Sequence, residues 1–295
     1  MFESILQPDL AFSFWIQGFA SPAFTLIMQL ASFVLSAIPL MLVAAWLYWS
    51  KREKESFYFM NLIVLSALFS EAFKQFFQRL RPSFASEKIL TFESHSVNDF
   101  SFPSGHATLA GALFAYLQER VKKGWKILLA LLVFLVAVSR IYLGAHFLSD
   151  VLAGLLLGFF VGKLNLWLRK KTEHMHFKIT KLKEEVLLFA FIIGSIIIVV
   201  FLQELVLAAV IIGYFAGYSL WKEMRLEQSG KSLKRKIVGF GGIAILYLGS
   251  LSNSLEQKFI SLFLIGFWVT FLYPLMCESL KHHLKRKGKA KKSKH

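Results

Sequence analysis

Long apolar segments follow one another along most of this chain and restrict what it can fold into. A helix needs about 20 apolar residues to cross the hydrocarbon core of a membrane, and about nine segments approach that length. Because 56% of the residues are hydrophobic and only 18% are charged, a water-soluble fold of 295 residues could not bury this surface. The sequence therefore predicts an all-α, polytopic membrane helix bundle with about nine transmembrane helices. The segments lie at 22–49, 57–80, 104–121, 126–143, 147–168, 186–202, 205–221, 237–255 and 258–277.

Lysine and arginine residues are concentrated on one alternating set of connectors between these segments. They follow the first, third, fifth and seventh segments and fill the end of the chain. Since cytoplasmic loops are enriched in Lys and Arg, we expect the N-terminus outside and the C-terminus in the cytoplasm. The formal net charge of +16 then reflects membrane orientation, and no nucleic-acid partner is expected.

On this pattern the chain divides into four parts. The N-terminal part is expected to be an interfacial segment, because Asp9 and Gln17 interrupt its apolar pattern. Later in the chain, Gly154, Gly158 and Gly162 recur four residues apart, a spacing that lets membrane helices pack closely. The predicted parts are the interfacial segment 1–21, a core with three polar motifs at 22–168, additional transmembrane helices at 186–277, and a basic cytoplasmic tail at 278–295.

The first polar motif contains two cations on the side of the membrane that is otherwise poor in Lys and Arg. Lys74 and Arg81 are seven residues apart, so on a helix both project from nearly the same face. Pro82 follows and ends the helix. Ionisable groups at membrane depth are candidates for function, although a single cation near a helix end can also snorkel to the interface. An anion with several oxygen atoms is the expected ligand of this pair.

The second polar motif opens the third apolar segment. Ser104 is a good helix N-cap, and Gly105 lets the backbone approach a ligand closely. The free N–H groups at a helix start bind anions, and His106 would place a proton donor beside such an anion. Taken without His106, the motif is also typical of a plain loop-to-helix cap.

The third polar motif joins the fourth segment to the fifth. Arg140 adds a third cation, and His146 and Asp150 are spaced as neighbours on one helix face. A carboxylate that binds one ring nitrogen fixes the tautomer and leaves the other nitrogen as a nucleophile. The alternative is a histidine and an aspartate that merely satisfy each other at a helix start.

Together the motifs resemble the signature of the type-2 phosphatidic acid phosphatase superfamily. That family includes lipid phosphate phosphatases, phosphatidylglycerophosphatase B, undecaprenyl-diphosphate phosphatases and glucose-6-phosphatase. All three motifs are complete and in order. They read Lys74-x6-Arg81-Pro82, Pro103-Ser104-Gly105-His106 and Ser139-Arg140-x5-His146-x3-Asp150.

The resemblance implies a role for each matching position. His146 would attack phosphorus and form a phosphohistidine, with Asp150 orienting its ring. His106 would protonate the leaving oxygen and then activate water. Because three cations would surround the phosphate, no metal and no cofactor is expected. The residues implied in phosphate binding are Lys74, Arg81, Arg140, Ser104 and Gly105.

The leading hypothesis is an integral membrane phosphatase of lipid phosphates or diphosphates, with the lipid phosphate substrate and membrane lipids as its partners. A lipid phosphotransferase and a non-enzymatic membrane scaffold are the alternatives. Since the motifs lie on the side poor in Lys and Arg, we expect a site facing the periplasm or exterior of a bacterial inner membrane. The connector 83–101 is expected to cover this site. The helices at 186–277 are additional to the spans found in compact members of the superfamily, and we interpret them as a scaffold or a homodimer interface.

Overall fold

The computed structural model describes residues 2–93, 99–174, 205–224 and 232–281. Within these ranges the chain is helical and contains no strand, which confirms the predicted helical fold. The last helix continues into one π-helical turn at Trp268–Leu272. The helices are α1 (Glu3–Gln17), α2 (Pro22–Val34), α3 (Ala37–Tyr48), α4 (Glu53–Phe77), α5 (Pro82–Ala85), α6 (Gly105–Leu117), α7 (Lys123–Tyr142), α8 (Leu148–His174), α9 (Leu205–Glu223), α10 (Leu233–Ser250) and α11 (Leu255–Phe267).

Several of the described helices are long and apolar enough to cross a membrane, as expected of an integral membrane protein. By length and composition, four stretches qualify in the part of the chain that the structure describes. The bent pair α1 and α2 would make a fifth if it forms one broken span. The segment 186–202 lies outside the described residues, so the count of about nine spans and the membrane orientation remain predictions. The four stretches are Glu53–Ala85, Lys123–Tyr142, Leu148–Lys171 and Leu255–Lys281.

The predicted first span, 22–49, is not one continuous helix. It is divided into α2 and α3 by a break at residues 35–36, and α1 meets α2 at a bend of 120°. Asp9 and Gln17, which interrupt the apolar pattern of α1, are both buried. Gln17 Nε2 donates hydrogen bonds to the backbone carbonyls of Leu90 (2.8 Å) and Tyr142 (2.9 Å). The polar residues of α1 therefore bind the protein interior and tie this helix to the end of α7.

The described helices form two compact units. The first consists of Met1–Leu42 with Tyr58–His176, and it holds all three polar motifs. The second consists of Val43–Phe57 with Phe177–His295, of which residues 205–224 and 232–281 are described after the first stretch. The motifs thus belong to one unit.

In the first unit, α6 and α8 pack with their backbones in contact. A Cβ atom on Gly154 would lie 2.6 Å from the carbonyl oxygen of Ser104, and one on Gly158 would overlap the carbonyl oxygen of Thr108. Gly162 meets the backbone of the same helix one turn further along, at Ala112. The glycine spacing therefore has the close-packing role that the sequence predicts. This contact places the start of α6 beside Gly154, six residues after the start of α8.

In the second unit, α9 and α11 also approach at a glycine, because a Cβ on Gly213 would overlap the carbonyl oxygen of Phe263. The π-helical turn that follows α11 leaves backbone carbonyls available to side chains. Trp49 Nε1 donates to the carbonyl of Val269 at 2.9 Å, and the Tyr48 hydroxyl donates to the next carbonyl at 3.0 Å. These bonds satisfy polar backbone groups that would otherwise be exposed to apolar surroundings.

Candidate active site

Four helix ends in the first unit bring the predicted site residues together. Lys74 lies in the last turn of α4, and Arg81 lies four residues after the end of that helix, directly before α5. Ser104 is the N-cap of α6, as predicted, and its hydroxyl oxygen accepts from the backbone N–H of Ala107 at 3.5 Å. Arg140 lies in the last turn of α7. The ends of α4 and α7 and the starts of α6 and α8 therefore meet on one side of the unit.

Backbone hydrogen bonds join the three motifs. Ser104 N donates to the carbonyl of Asp150 at 3.0 Å, which links the second motif to the third. Ser101 N donates to the carbonyl of Arg79 at 2.8 Å, which links the second motif to the first. A Cβ on Gly105 would lie 4.0 Å from Lys74 Nζ, so the opening residue of α6 is next to this ammonium group. These contacts bring the three motifs, which are separated along the chain, next to one another in space.

The hydrogen bonds of His146 determine which ring nitrogen is available for attack. Nδ1 lies 2.8 Å from the backbone carbonyl of Ser101, which can only accept, so Nδ1 carries the proton. Nε2 lies 3.3 Å from Arg81 Nη1, which can only donate. Both neighbours select the same tautomer, and Nε2 keeps its lone pair.

Asp150 is expected to orient the His146 ring directly, but in the structure its carboxylate makes no hydrogen bond to that ring. His146 precedes α8, and its Nδ1 lies 3.9 Å from Asp150 Oδ2, beyond hydrogen-bond distance. That carboxylate oxygen instead accepts from the backbone N–H of Phe147 at 2.9 Å. The turn between the histidine and the helix takes the ring out of the i, i+4 alignment. Asp150 therefore acts on the peptide beside His146, and the Ser101 carbonyl binds the ring.

Electrostatics keep the His146 ring neutral. Burial lowers its pKa well below the usual 6.5. The positive charges of Arg81, Arg140 and Lys74 lower it further, as does His106. The two histidines and the three cations that the sequence predicts for one site therefore interact in one place.

Each of the three cations is paired with a carboxylate. Lys74 Nζ lies 2.5 Å from Glu71 Oε1, one helical turn back. Arg81 Nη2 lies 2.6 Å from an oxygen of Asp99. Arg140 binds both carboxylate oxygens of Glu93, at 2.7 and 2.8 Å, and its buried Nε–H has no hydrogen-bond partner among the described residues. Glu93 and Asp99 thus occupy guanidinium groups that are expected to hold phosphoryl oxygens.

The connector 83–101 reaches this site, as expected, through the described residues Glu93 and Asp99. His95, another titratable residue of this connector, lies outside the described residues. Across the described ranges, no group of three or more His, Cys, Asp or Glu side chains is arranged to hold a metal ion.

Sequence reasoning missed two groups at this site. One is the Ser101 carbonyl, which as a backbone group leaves no trace in residue type. The other is the buried ion pair between Arg79 and Asp9, with Arg79 Nη2 2.7 Å from Asp9 Oδ2. A usable signal for this pair was present, since an acidic residue in the first helix and an extra arginine beside the first motif both lie on the side poor in Lys and Arg.

Comparison with known families supports this reading of the motifs. Residues 55–173 match the PAP2 superfamily, and residues 205–287 match the PAP2 superfamily phosphatase transmembrane extension. The chain belongs to the PAP2 superfamily. The motif residues from Lys74 to Asp150 all fall within the first match, and the second match covers helices of the second unit.

Relatives of the chain are named phosphatases. Phosphatidylglycerophosphatase B of Bacillus subtilis is 30% identical over 138 residues, which are 43% of this chain and 64% of that protein. Lipid A 4'-phosphatase of Porphyromonas gingivalis is 35% identical over 141 residues, which are 43% of this chain and 59% of that protein. The chain thus matches less than two thirds of the length of either relative. A crystal structure of a PAP2-type phosphatidylglycerolphosphate phosphatase from Bacillus subtilis is also similar, with 23% identity, a TM-score of 0.49, and coverage of 59% of this chain and 90% of that one.

Proposed function

We propose that this protein is an integral membrane phosphatase that hydrolyses lipid phosphate or diphosphate esters through a phosphohistidine, without a metal ion. The observation that carries the proposal is the state of His146. Its Nδ1 is bound to a carbonyl, and its Nε2 keeps a lone pair and faces Arg81. A buried, neutral imidazole among cations is suited to attack an anionic phosphorus centre. The named phosphatases among its relatives support the same reaction class.

In the first step, the Nε2 lone pair of His146 forms a bond to phosphorus while the bond from phosphorus to the lipid oxygen breaks. Protonated His106 gives its proton to that leaving oxygen. In the second step, water attacks phosphorus and passes a proton to His106, and the N–P bond breaks. The products are a dephosphorylated lipid and inorganic phosphate, and both histidines return to their starting states.

The cations supply most of the stabilisation in this scheme. Phosphoryl transfer depends on positioning and on neutralising charge on the equatorial oxygens. Arg140 and Arg81 present forked donors, and Lys74 lies beside the N-terminal end of α6. The resulting cradle of fixed charges takes the role that Mg²⁺ has in many phosphoryl-transfer enzymes, which is why we propose a metal-independent reaction.

The site is proposed to face the non-cytoplasmic side of the membrane. In the first unit, the helix ends opposite the site carry clusters of Lys and Arg, as expected of the cytoplasmic side. A lipid could then present its headgroup from the outer leaflet without leaving the bilayer. These opposite-end residues are Arg120, Lys122, Lys123, Lys126, Arg169, Lys170 and Lys171.

The proposal is tested with purified protein in EDTA, by measuring phosphate release from phosphatidate, phosphatidylglycerophosphate and undecaprenyl diphosphate. Wild type is expected to release phosphate from at least one of them. His146→Ala should lose this activity by about 1,000-fold or more, because nucleophile and covalent intermediate are both lost. His106→Ala should also lose most of this activity, because it removes the proton donor of the first step and the proton acceptor of the second.

Two results would contradict the proposal. Undiminished phosphate release by His146→Ala would exclude this nucleophile. Transfer of phosphate to a second lipid, with no inorganic phosphate formed, would show a phosphotransferase. Arg169→Gln is a matched control for loss of a buried polar residue, because Arg169 lies about 32 Å from the site end of α8 at 1.5 Å per residue.

A further inference from the structure

The Arg79 side chain joins the first helix of the chain to the start of α8. We infer that Asp9 and Arg79 form a positioning relay that holds Asp150, and through it the turn carrying His146, in the arrangement needed for attack. This inference rests on the proposed function, since the step being positioned is the phosphoryl transfer to His146. Asp9 lies outside the three motifs, and Arg79 is one of the unspecified positions between Lys74 and Arg81 of the first.

The guanidinium of Arg79 is held from several sides. Nη2 lies 2.7 Å from Asp9 Oδ2, and Nη1 lies 2.5 Å from Asp150 Oδ1. Its flat faces contact two aromatic rings, at 4.5 Å from the centroid of Phe2 and 4.3 Å from that of Phe147. All three charged residues are at most 6% exposed. Because both Nη groups are bound to carboxylates and two aromatic rings pack against the guanidinium, its position is fixed.

Asp9 also caps α8 from another helix. Its Oδ1 accepts from the backbone N–H of Ser149 at 3.0 Å, and its Oδ2 accepts from the hydroxyl of the same serine. The first N–H groups of a helix have no partner within that helix, so an external carboxylate stabilises them. The residue that satisfies the start of α8 is thus supplied by α1, about 140 residues earlier in the chain.

The relay ends at the peptide next to the nucleophile. Asp150 uses Oδ1 to bind Arg79 and Oδ2 to accept from the backbone N–H of Phe147. Phe147 follows His146 directly, so the position of this carboxylate sets the path of the turn and the direction of the ring. Among the described residues, no side-chain hydrogen bond or ion pair joins Asp9 or Arg79 to Lys74, Arg81 or Arg140. The relay should therefore affect the rate of attack and leave phosphate affinity unchanged.

The test uses three full-length variants in metal-free assays. Arg79→Gln removes the cation, Arg79→Lys keeps the charge and loses the fork, and Asp9→Asn keeps a hydrogen-bond acceptor and loses the charge. We expect kcat to fall about 100-fold in Arg79→Gln, nearly as much in Arg79→Lys, and about 10-fold in Asp9→Asn, as for reacting groups that are displaced by about 1 Å. The inhibition constant of inorganic phosphate should change by less than about twofold, since the cations are intact.

A purely structural role predicts another pattern. In that case kcat and phosphate affinity would fall together, in proportion to the folded fraction measured by thermal unfolding, and Arg169→Gln would show the same loss. That pattern would overturn the inference, as would a wild-type kcat in Asp9→Asn and Arg79→Lys. If Arg79→Gln does not fold, these two variants decide the outcome. Absence of phosphate release by wild type would refute the proposed function instead, so the two failures are distinguishable.

Discussion

Replacing Glu93 with Gln should tighten the binding of phosphate. In the structure, the Glu93 carboxylate occupies the fork of Arg140, with two hydrogen bonds of 2.7 and 2.8 Å. A phosphoryl group that binds Arg140 in the same bidentate manner has to displace this carboxylate. Glu93 is therefore a competitor built into the site, and removing its charge should favour the anionic ligand.

The size of the effect follows from the exposure of the pair. A hydrogen bond to a charged group contributes about 1.5–3 kcal/mol when it is well shielded. The Arg140 side chain is buried, but the Glu93 side chain is 33% exposed, and solvent screening reduces the contribution. A net cost of about 1 kcal/mol for displacing the carboxylate corresponds to a change of about fivefold in a dissociation constant.

The assay is competitive inhibition of phosphate release by inorganic phosphate in a metal-free buffer. Glu93→Gln should lower the inhibition constant about fivefold, and KM should fall in the same direction. Glu87→Gln is the matched control, because Glu87 lies in the same connector and is exposed. It should leave the inhibition constant unchanged.

An unchanged or higher inhibition constant in Glu93→Gln would refute this reasoning. It would mean that substrate reaches the cations without displacing Glu93, or that Glu93 itself binds the headgroup. Either result would move phosphate binding away from the fork of Arg140 and towards Arg81 and Lys74.

Two further predictions follow from the structure. The pKa of His146 lies well below 6.5, so its ring is neutral at pH 6.5 and above. On the acid side, kcat/KM should therefore fall only at clearly lower pH. A fall in kcat/KM centred at or above pH 6.5, after correction for substrate ionisation, would contradict this prediction. Gly158→Ala should lower the midpoint of thermal unfolding, by an amount equivalent to about 1–3 kcal/mol, because its Cβ would overlap the carbonyl of Thr108. Gly124→Ala, where a Cβ meets nothing within 4 Å, should not, and equal effects of the two substitutions would show that the close contact is unimportant.

The parts of the site that could be predicted from sequence are the side chains that break an apolar pattern. Lys74, Arg140 and His146 are conspicuous because charge at membrane depth requires a reason. Glycine spacing likewise predicted that α8 packs closely against another helix, since close backbone approach demands the absence of a side chain, but it did not identify α6 as that helix. Family resemblance then assigned roles to these residues.

Other features could not be predicted, because they depend on tertiary contacts. The carbonyl of Ser101 is a backbone group, and every residue has one. Asp9 and Arg79 are 70 residues apart, and although the sequence predicts both on the side poor in Lys and Arg, it does not indicate that they pair with each other. The break between α2 and α3 was also missed, since the apolar pattern of 22–49 continues across it.

The glycine contact between α6 and α8 has a consequence for how such a protein could change its substrate over evolution. One member of this helix pair carries His106 and the other begins just after His146, and their backbones touch where no side chain could intervene. The distance between the proposed acid and the proposed nucleophile is thus set by main-chain contact, which tolerates little variation. Residues in the connector, such as Glu93, are under no such constraint. New headgroups can be accommodated there while the chemical apparatus stays unaltered.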